Sequence, residues 1–241
     1  MKFLESPMQT IAVGFGLAMM LIMGYLAMVG IAVGDADWFG LLLRWVHFLA
    51  GIVWIGLLYF FNLVNASFLK SLDGPTKNIV IPKLMPAALG WFRHGATITV
   101  LAGIVLYLYM YQRGGTGAIA LGIGGVLGII MMVNVHAIIW PNQRRIIAAV
   151  TAAAQGTPAP PEMAQWGRTA LLASRVNFML SIPMLLFMGA GSHLRLDAVR
   201  LAGGNARWHV HPSLPFPFFN AAVCSQGPYG QIHDRAVVLS H

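Results

Sequence analysis

The sequence predicts an all-α integral membrane protein, a bundle of about five transmembrane helices with an irregular C-terminal tail. Three observations support this fold class. The 241 residues are 58% hydrophobic and only 9% charged, whereas soluble domains are about 25% charged. Five segments are apolar over the roughly 20 residues that a helix needs to cross a bilayer. Polar, charged or turn-forming residues separate these segments from one another.

The first predicted span covers residues 11–33, and we expect it to be retained in the mature protein. Lys2 precedes it, as a basic residue precedes many signal peptides. Its apolar region, however, exceeds the ~7–15 residues of a signal peptide, and no clean cleavage site follows. The segment therefore predicts a membrane-spanning helix.

The other four spans are predicted from their apolar runs, and with the first they make up a membrane domain over residues 1–193. The fourth is expected to end at Pro141, because proline interrupts a helix. The predicted bounds are 38–67, 87–111, 117–140 and 169–191. Residues 155–161 (QGTPAPP) predict a short flexible linker. Residues 194–241 contain no spanning run and predict a non-membrane tail of unknown fold.

The connections between spans differ in charge, which predicts an orientation. Basic residues concentrate after the second and fourth spans, and the positive-inside rule places these connections and the N-terminus in the cytoplasm. They are Lys70, Lys77, Lys83, Arg144, Arg145 and Arg168. We attribute the net charge of +8 to contact with anionic lipid. A nucleic-acid partner is not expected, because no basic stripe with interleaved aromatic residues occurs.

The cysteine content restricts the cofactors that this chain can hold. Cys224 is the only cysteine, so a disulfide within the chain is excluded. The Cys-x-x-Cys-His motif that attaches c-type haem is absent. Any haem bound by this sequence is therefore expected to be non-covalent.

The second predicted span carries an unusual polar stripe. Helical spacing places its members on one face, while the opposite face is apolar. The stripe consists of Arg44, His47, Gly51, Trp54, Leu58, Phe61 and Asn65, and Asn62 adjoins it. Ionisable groups at membrane depth are costly and usually serve a function. His47 could be a haem ligand, a proton carrier or a hydrogen-bonded structural residue, with Arg44 extending to the interface.

Three further histidines fall within or beside the predicted spans. By predicted depth, His47 and His193 could share an outer site, and His94 and His136 an inner one. Two b-type haems stacked across a bilayer, with neutral imidazoles as axial ligands, would give this distribution. Hydrogen bonding at the interface is the alternative for the inner pair.

The spans contain arginines but no acidic residue that could neutralise them. Arg44, Arg93 and Arg175 lie within predicted spans, which hold no Asp or Glu. Negative charge must come from elsewhere, such as haem propionates, an anionic substrate, lipid phosphate or helix C-terminal carbonyls. This pattern favours an anionic ligand or cofactor over a carboxylate-based proton relay.

Four motifs together resemble one known family. They are RWVHFLAGIVWIGLLYFFNLVN (44–65), MPAALGWFRHGA (85–96), NVHAIIWPNQRRII (134–147) and ASRVNFMLSIPMLLFMGAGSH (173–193). They are similar to the membrane domain of the bacterial cytochrome-linked urate hydroxylases, the urate oxidase N-terminal domain family. The resemblance implies a bacterial inner-membrane oxidoreductase of purine degradation, which oxidises urate to 5-hydroxyisourate and passes electrons to a c-type cytochrome.

The resemblance also implies roles for individual residues. His47 and His193 become candidate ligands of haem b, followed by His94 and His136. Urate is a flat anion with amide-like edges, so its site needs a guanidinium, amide side chains and an aromatic wall. The candidate catalytic residues are Arg44, Arg175 and Asn62, and the candidate substrate-binding residues are Trp54, Asn65, Asn142, Gln143 and Asn177.

Two other functions stay open on sequence grounds. The chain could be a b-type cytochrome subunit that carries electrons without acting on purines. It could also be a structural or truncated membrane subunit whose histidines only form hydrogen bonds. Family members carry a C-terminal cytochrome c domain, whereas the tail here lacks the haem-attachment motif. A separate c-type cytochrome is therefore the expected electron acceptor.

Overall fold

The structure is a computed structural model that describes residues 2–35, 37–112 and 117–193. Every secondary-structure element assigned in these ranges is a helix, and these ranges contain no strand. This confirms the predicted all-α class for the described residues. The α-helices are α1 (Pro7–Val29), α2 (Trp38–Tyr59), α3 (Ala66–Ser71), α4 (Gly74–Gln112), α5 (Ala118–Asn134), α6 (Trp140–Ala153) and α7 (Met163–His193). The predicted tail, 194–241, lies outside the described residues.

Within the described residues, five helical runs are long and apolar enough to cross a membrane, the number that the sequence predicts. They are Pro7–Val29, Trp38–Ser71, Gly74–Gln112, Ala118–Ala153 and Met163–Gly191. Their outward faces expose many large apolar side chains. An exposed apolar surface of this extent is typical of a protein that meets lipid.

Helix α1 makes few contacts with the rest of the described bundle. Leu26 is its one buried residue, and its Phe15 ring lies 4.8 Å from the Trp45 ring of α2, centroid to centroid. The helix ends at Gly30, whose φ of +76° is a left-handed conformation. This conformation lets the N–H of Ile31 donate to the carbonyl of Leu26 (3.1 Å), a common helix-ending pattern. The run therefore ends before residue 33, where the sequence predicted its end.

The core lies where α2, α4, α5 and α7 meet. Glycines allow this close packing, because a side chain at their positions would meet a neighbouring backbone. A Cβ at Gly95 would lie 3.2 Å from the backbone nitrogen of Trp54, and one at Gly124 would lie 3.3 Å from the carbonyl oxygen of Met184. The largest fully buried side chains are Trp54, Phe92, Leu58, Met131, Val135, Asn177 and Ser181.

The third predicted span begins much earlier than expected. Helix α4 starts at Gly74 rather than near residue 87, and it contains both Pro82 and Pro86. Lys77 and Lys83, which the sequence placed in a connection, are therefore helical. Each proline removes one backbone hydrogen bond, and α4 continues through both losses.

The helical run that contains the fourth predicted span does not end at Pro141. A π-helical segment, Val135–Ile139, precedes α6, and Pro141 occupies the first turn of that helix. In a π-helical segment each N–H bonds to the carbonyl five residues back instead of four. The first turn of α6 needs no N–H from proline, so Pro141 does not interrupt the helical run. The run therefore continues to Ala153, and the following residues up to 162 contain the predicted linker.

Acid is expected to weaken the start of α4. Asp73 accepts a hydrogen bond from the Thr76 N–H (3.4 Å), and its contacts with Thr76 hold the pKa of Asp73 below its ordinary value. The stabilisation is complete above the unfolded pKa of about 4 and is lost as pH falls through the lower folded pKa. Unfolding of the wild type should therefore respond more steeply to acid than that of Asp73→Asn, measured in detergent between neutral and acidic pH. Parallel pH profiles of the two proteins would contradict this role.

Candidate functional site

His47 lies on the face of α2 that packs against α4. Its Nδ1 is 2.8 Å from the carbonyl oxygen of Thr99. A carbonyl only accepts, so Nδ1 must be the donor and the lone pair of the neutral ring lies on Nε2. A Cβ at Gly103 would lie 2.8 Å from Cε1 of His47, so this glycine leaves the space that the ring occupies.

This arrangement fits a histidine that ligates a metal. Such histidines usually donate their second ring N–H to a carbonyl or carboxylate, which fixes the tautomer and the ring orientation. Thr99 supplies that carbonyl, and Gly103 supplies the cradle. The residues present at His47 are therefore compatible with a non-covalent haem.

His193 has a similar local hydrogen bond but different surroundings. It lies exposed at the end of α7, and its Nδ1 donates to the carbonyl of Gly189 (2.9 Å) in the preceding turn. No hydrogen bond or ring contact joins His193 to His47 within the described ranges. The described residues also contain no cluster of three or more potential metal ligands. The predicted pairing of these two histidines therefore stays a prediction.

Asn62 connects the second helical run to α7. Its side-chain nitrogen donates to the hydroxyl of Ser174 (2.9 Å) and to the carbonyl of Leu58 (2.9 Å). Its Oδ1 is buried and has no hydrogen-bond partner within residues 2–35, 37–112 and 117–193. An unpartnered buried acceptor is costly, so Asn62 presents an oxygen that a ligand N–H or a water could satisfy.

Asn65 and Trp54 repeat this feature on the same run. The nitrogen of Asn65 contacts Sδ of Met85 (3.8 Å), and its buried Oδ1 has no hydrogen-bond partner among the described residues. The indole N–H of Trp54, a residue 1% exposed, also has no acceptor in that part of the chain. These two residues and Asn62 place one donor and two acceptors on the interior side of α2 and the π-helical segment Phe60–Asn65.

The two predicted catalytic arginines are not brought to these amides. Arg44 is exposed, and its guanidinium contacts Sδ of Met110 (3.6 Å) near the other end of α2. Arg175 is also exposed, although it follows Ser174, the partner of Asn62. A long cationic side chain can extend along an apolar surface toward a more polar region, and the exposure of both residues fits that behaviour.

The remaining predicted substrate-binding residues occupy other positions. Asn177 is fully buried, accepts from Nδ2 of Asn134 (2.9 Å) and donates to the carbonyl of Met131 (2.9 Å). Its amide is therefore used between α5 and α7. Asn142 donates to the carbonyl of Ile138 in the preceding π-helical segment (2.8 Å), and Gln143 follows it in the first turn of α6.

His94 and His136, the predicted inner pair, do lie in one neighbourhood. Both are exposed, and Thr97, three residues after His94 in α4, is hydrogen-bonded to the His136 ring. The hydroxyl of Thr97 donates its one proton to the carbonyl of Arg93 (3.1 Å), so Nε2 of His136 donates to the Thr97 hydroxyl oxygen (2.9 Å). This bond leaves only Nδ1 of His136 for a further interaction.

Several residues that shape these sites were not predicted as functional. Thr99 and Gly103 orient His47 from α4, and Ser174 and Asn134 complete the interhelical hydrogen bonds. A glycine or a threonine in an apolar run carries no signal of its own. Only knowledge of which helices are neighbours would have identified these partners.

The fold and these side chains define a class: a bundle of membrane-compatible helices with an oriented histidine and unpartnered amides in its interior. Residues 112–198, just over a third of the chain, match the family described as urate oxidase N-terminal. The resemblance seen in the sequence is thus confirmed over those residues. No curated protein matches the chain. No solved structure matches it either.

Proposed function

We propose that this protein is a membrane-bound oxidoreductase module that oxidises urate, or a similar small planar anion, and delivers electrons to a separate c-type cytochrome. The observation that carries the proposal is the match of residues 112–198 to the urate oxidase N-terminal family. That match covers α5, α6 and α7, which include Ser174, the interhelical partner of Asn62, and the interior network around Asn177.

The interior amides support a ligand with N–H donors. Urate presents several N–H groups on the edges of a flat ring. The free Oδ1 atoms of Asn62 and Asn65 are buried acceptors, and pairing such atoms with ligand donors removes the cost of leaving them unsatisfied. A ligand that lacks these N–H groups would leave the cost in place, so the amides would also contribute to specificity.

His47 supports a redox role. We propose that it holds haem b through Nε2, because Nδ1 is committed to the Thr99 carbonyl. A bound haem would supply a one-electron acceptor between the substrate and the cytochrome. His193 is the proposed second ligand on grounds of family resemblance.

The proposed reaction balances without any further oxidant. Urate and water give 5-hydroxyisourate, two protons and two electrons. A C–O bond forms at C5 of the purine with the oxygen of water, and two molecules of oxidised c-type cytochrome each take one electron. The part played by this chain is to bind and orient the substrate and to provide the route for the electrons.

One observation favours a second candidate, an electron carrier without purine activity. Arg44 and Arg175 are exposed and do not converge on Asn62, so the described interior contains amides without a guanidinium to bind an anion. In that case His47 would keep its role and the free amide oxygens would be satisfied by water.

A matched pair of variants on the Asn62–Ser174 hydrogen bond tests the enzymatic function. We expect urate to reduce an added c-type cytochrome in the presence of purified wild-type protein, as followed by the cytochrome absorbance. Asn62→Leu removes both the free oxygen and the bond to Ser174, and we expect activity to fall at least about tenfold. Ser174→Ala removes only the interhelical bond, and we expect most of the activity to remain.

Three results of this experiment have different meanings. No urate-dependent reduction by the wild type, with a b-type absorbance present, would favour the electron carrier. Equal losses of activity in Asn62→Leu and Ser174→Ala would show that the effect comes from losing the Asn62–Ser174 hydrogen bond. The free oxygen of Asn62 would then have no role in binding urate. Absence of haem from the wild type would contradict both redox functions.

A further inference from the structure

A second polar site lies on the surface of the bundle, away from its core, between α4 and the α5–α6 run. We call it the Arg93 cluster, and it consists of Arg93, His94, Thr97, His136 and Trp140. The guanidinium carbon of Arg93 lies 4.3 Å from the centroid of the Trp140 ring. The Thr97 hydroxyl joins the Arg93 carbonyl to the His136 ring. The proposed redox function uses none of these contacts.

The cluster holds a permanent positive charge without an acidic partner. No carboxylate interacts with Arg93 in the described part of the chain, where its side-chain contact is the ring of Trp140. The nearest acidic residues in the sequence, Asp73 and Glu162, lie outside the apolar stretches. Stacking on Trp140 covers one face of the guanidinium and leaves the N–H groups at its edge available for an anion.

The position of the cluster along the helices indicates the source of that anion. Lys77 and Lys83 precede Arg93 in α4, and Arg144 and Arg145 follow Trp140 in α6. The cluster thus lies where the apolar part of both helices gives way to basic residues. Trp91 is 54% exposed and lies two residues before Arg93 in α4, and exposed tryptophans are enriched where a membrane meets water. Phospholipid phosphates occupy this zone of a bilayer.

We propose that the Arg93 cluster binds the phosphate of an anionic phospholipid. The guanidinium edge of Arg93 and the exposed ring of His94 provide the donors, and Trp140 holds the guanidinium in place. The hydrogen bond between Thr97 and His136 (2.9 Å) joins α4 to the π-helical segment beside Arg93. Basic pockets between membrane helices bind acidic headgroups in this way.

Lipid titration of the purified full-length protein tests the proposal. The protein is held in neutral detergent, and retained lipid is measured by native mass spectrometry with phosphatidylglycerol, phosphatidylcholine or inorganic phosphate added. We expect selective retention of phosphatidylglycerol, weakened about tenfold in Arg93→Gln and less in Arg93→Lys. Arg168→Gln changes an exposed basic residue of α7 outside the cluster, and we expect it to bind as the wild type does.

A competition with inorganic phosphate identifies the bound anion, and a second variant tests the site if the first one misfolds. Inorganic phosphate that displaces phosphatidylglycerol at comparable concentration would make a free anion the occupant and overturn the assignment to lipid. Equal retention by Arg93→Gln, His94→Gln and the wild type would also overturn it. Because His94 is exposed, its variant tests the site even if Arg93→Gln fails to fold. Loss of b-type absorbance in His94→Gln would instead assign this histidine to haem and overturn the proposal.

Discussion

Replacing Gly95 with leucine is expected to destabilise the bundle by about 3 kcal/mol, the upper end of the usual cost of overpacking a tight contact. Even a Cβ at this position would lie 3.2 Å from the backbone nitrogen of Trp54 and 3.4 Å from the carbonyl oxygen of Ala50. These are backbone atoms, so they cannot rotate away as a side-chain end would. Helices α2 and α4 would have to separate, and the buried ring of Trp54 would lose its packing.

Gly90→Leu is the matched control on the same helix. No atom lies within 4 Å of a Cβ built at Gly90, and the gain in helix propensity is the same for both substitutions. The midpoint of unfolding in detergent should therefore fall for Gly95→Leu and stay close to the wild type for Gly90→Leu. Similar midpoints for the two variants would contradict the close approach of α2 and α4.

The number of apolar helices could be predicted from the sequence, but several of their ends could not. Apolar runs report where a helix can meet lipid, so five runs predicted five helices. Proline was expected to end a helix at Pro141, yet the preceding π-helical segment allows the chain to continue. The helical turns before residue 87 are polar enough to resemble a connection, and only tertiary structure places Pro82 and Pro86 within α4.

Part of the candidate site also follows from helical spacing. Trp54, Leu58 and Asn65 recur along one face of the second run, and all three are buried as that spacing predicts. Arg44 belongs to the same stripe but is exposed, because a stripe gives the direction of a side chain and not the length of the neighbouring helix that could cover it. Thr99 and Ser174 could not be predicted as partners, since the periodicity of one helix does not identify its neighbours.

Replacing His47 with glycine is expected to remove the b-type absorbance of the purified protein, and added imidazole is expected to restore it. The substitution removes the ligand atom and leaves an empty space beside Gly103, where the imidazole ring had been. Free imidazole can bind in that space. If His47 only joins α2 to α4 through its hydrogen bond to the Thr99 carbonyl, the substitution would lower the stability of the protein and leave its absorbance spectrum unchanged. Rescue of the spectrum by imidazole therefore separates a ligand from a structural residue.

Gly103→Ala tests the same site without removing the histidine. Its Cβ would lie 2.8 Å from Cε1 and 3.0 Å from Nδ1 of His47, so the ring must move and its bond to Thr99 must weaken. Loss of such a supporting bond typically weakens metal binding about ten- to a hundredfold, and haem retention during purification should fall accordingly. Gly56→Ala, with open space around its Cβ on the same run as His47, should retain haem as the wild type does. Full haem retention by Gly103→Ala would contradict the role of Gly103 in orienting the ring, and an unchanged spectrum in His47→Gly would exclude His47 as the ligand.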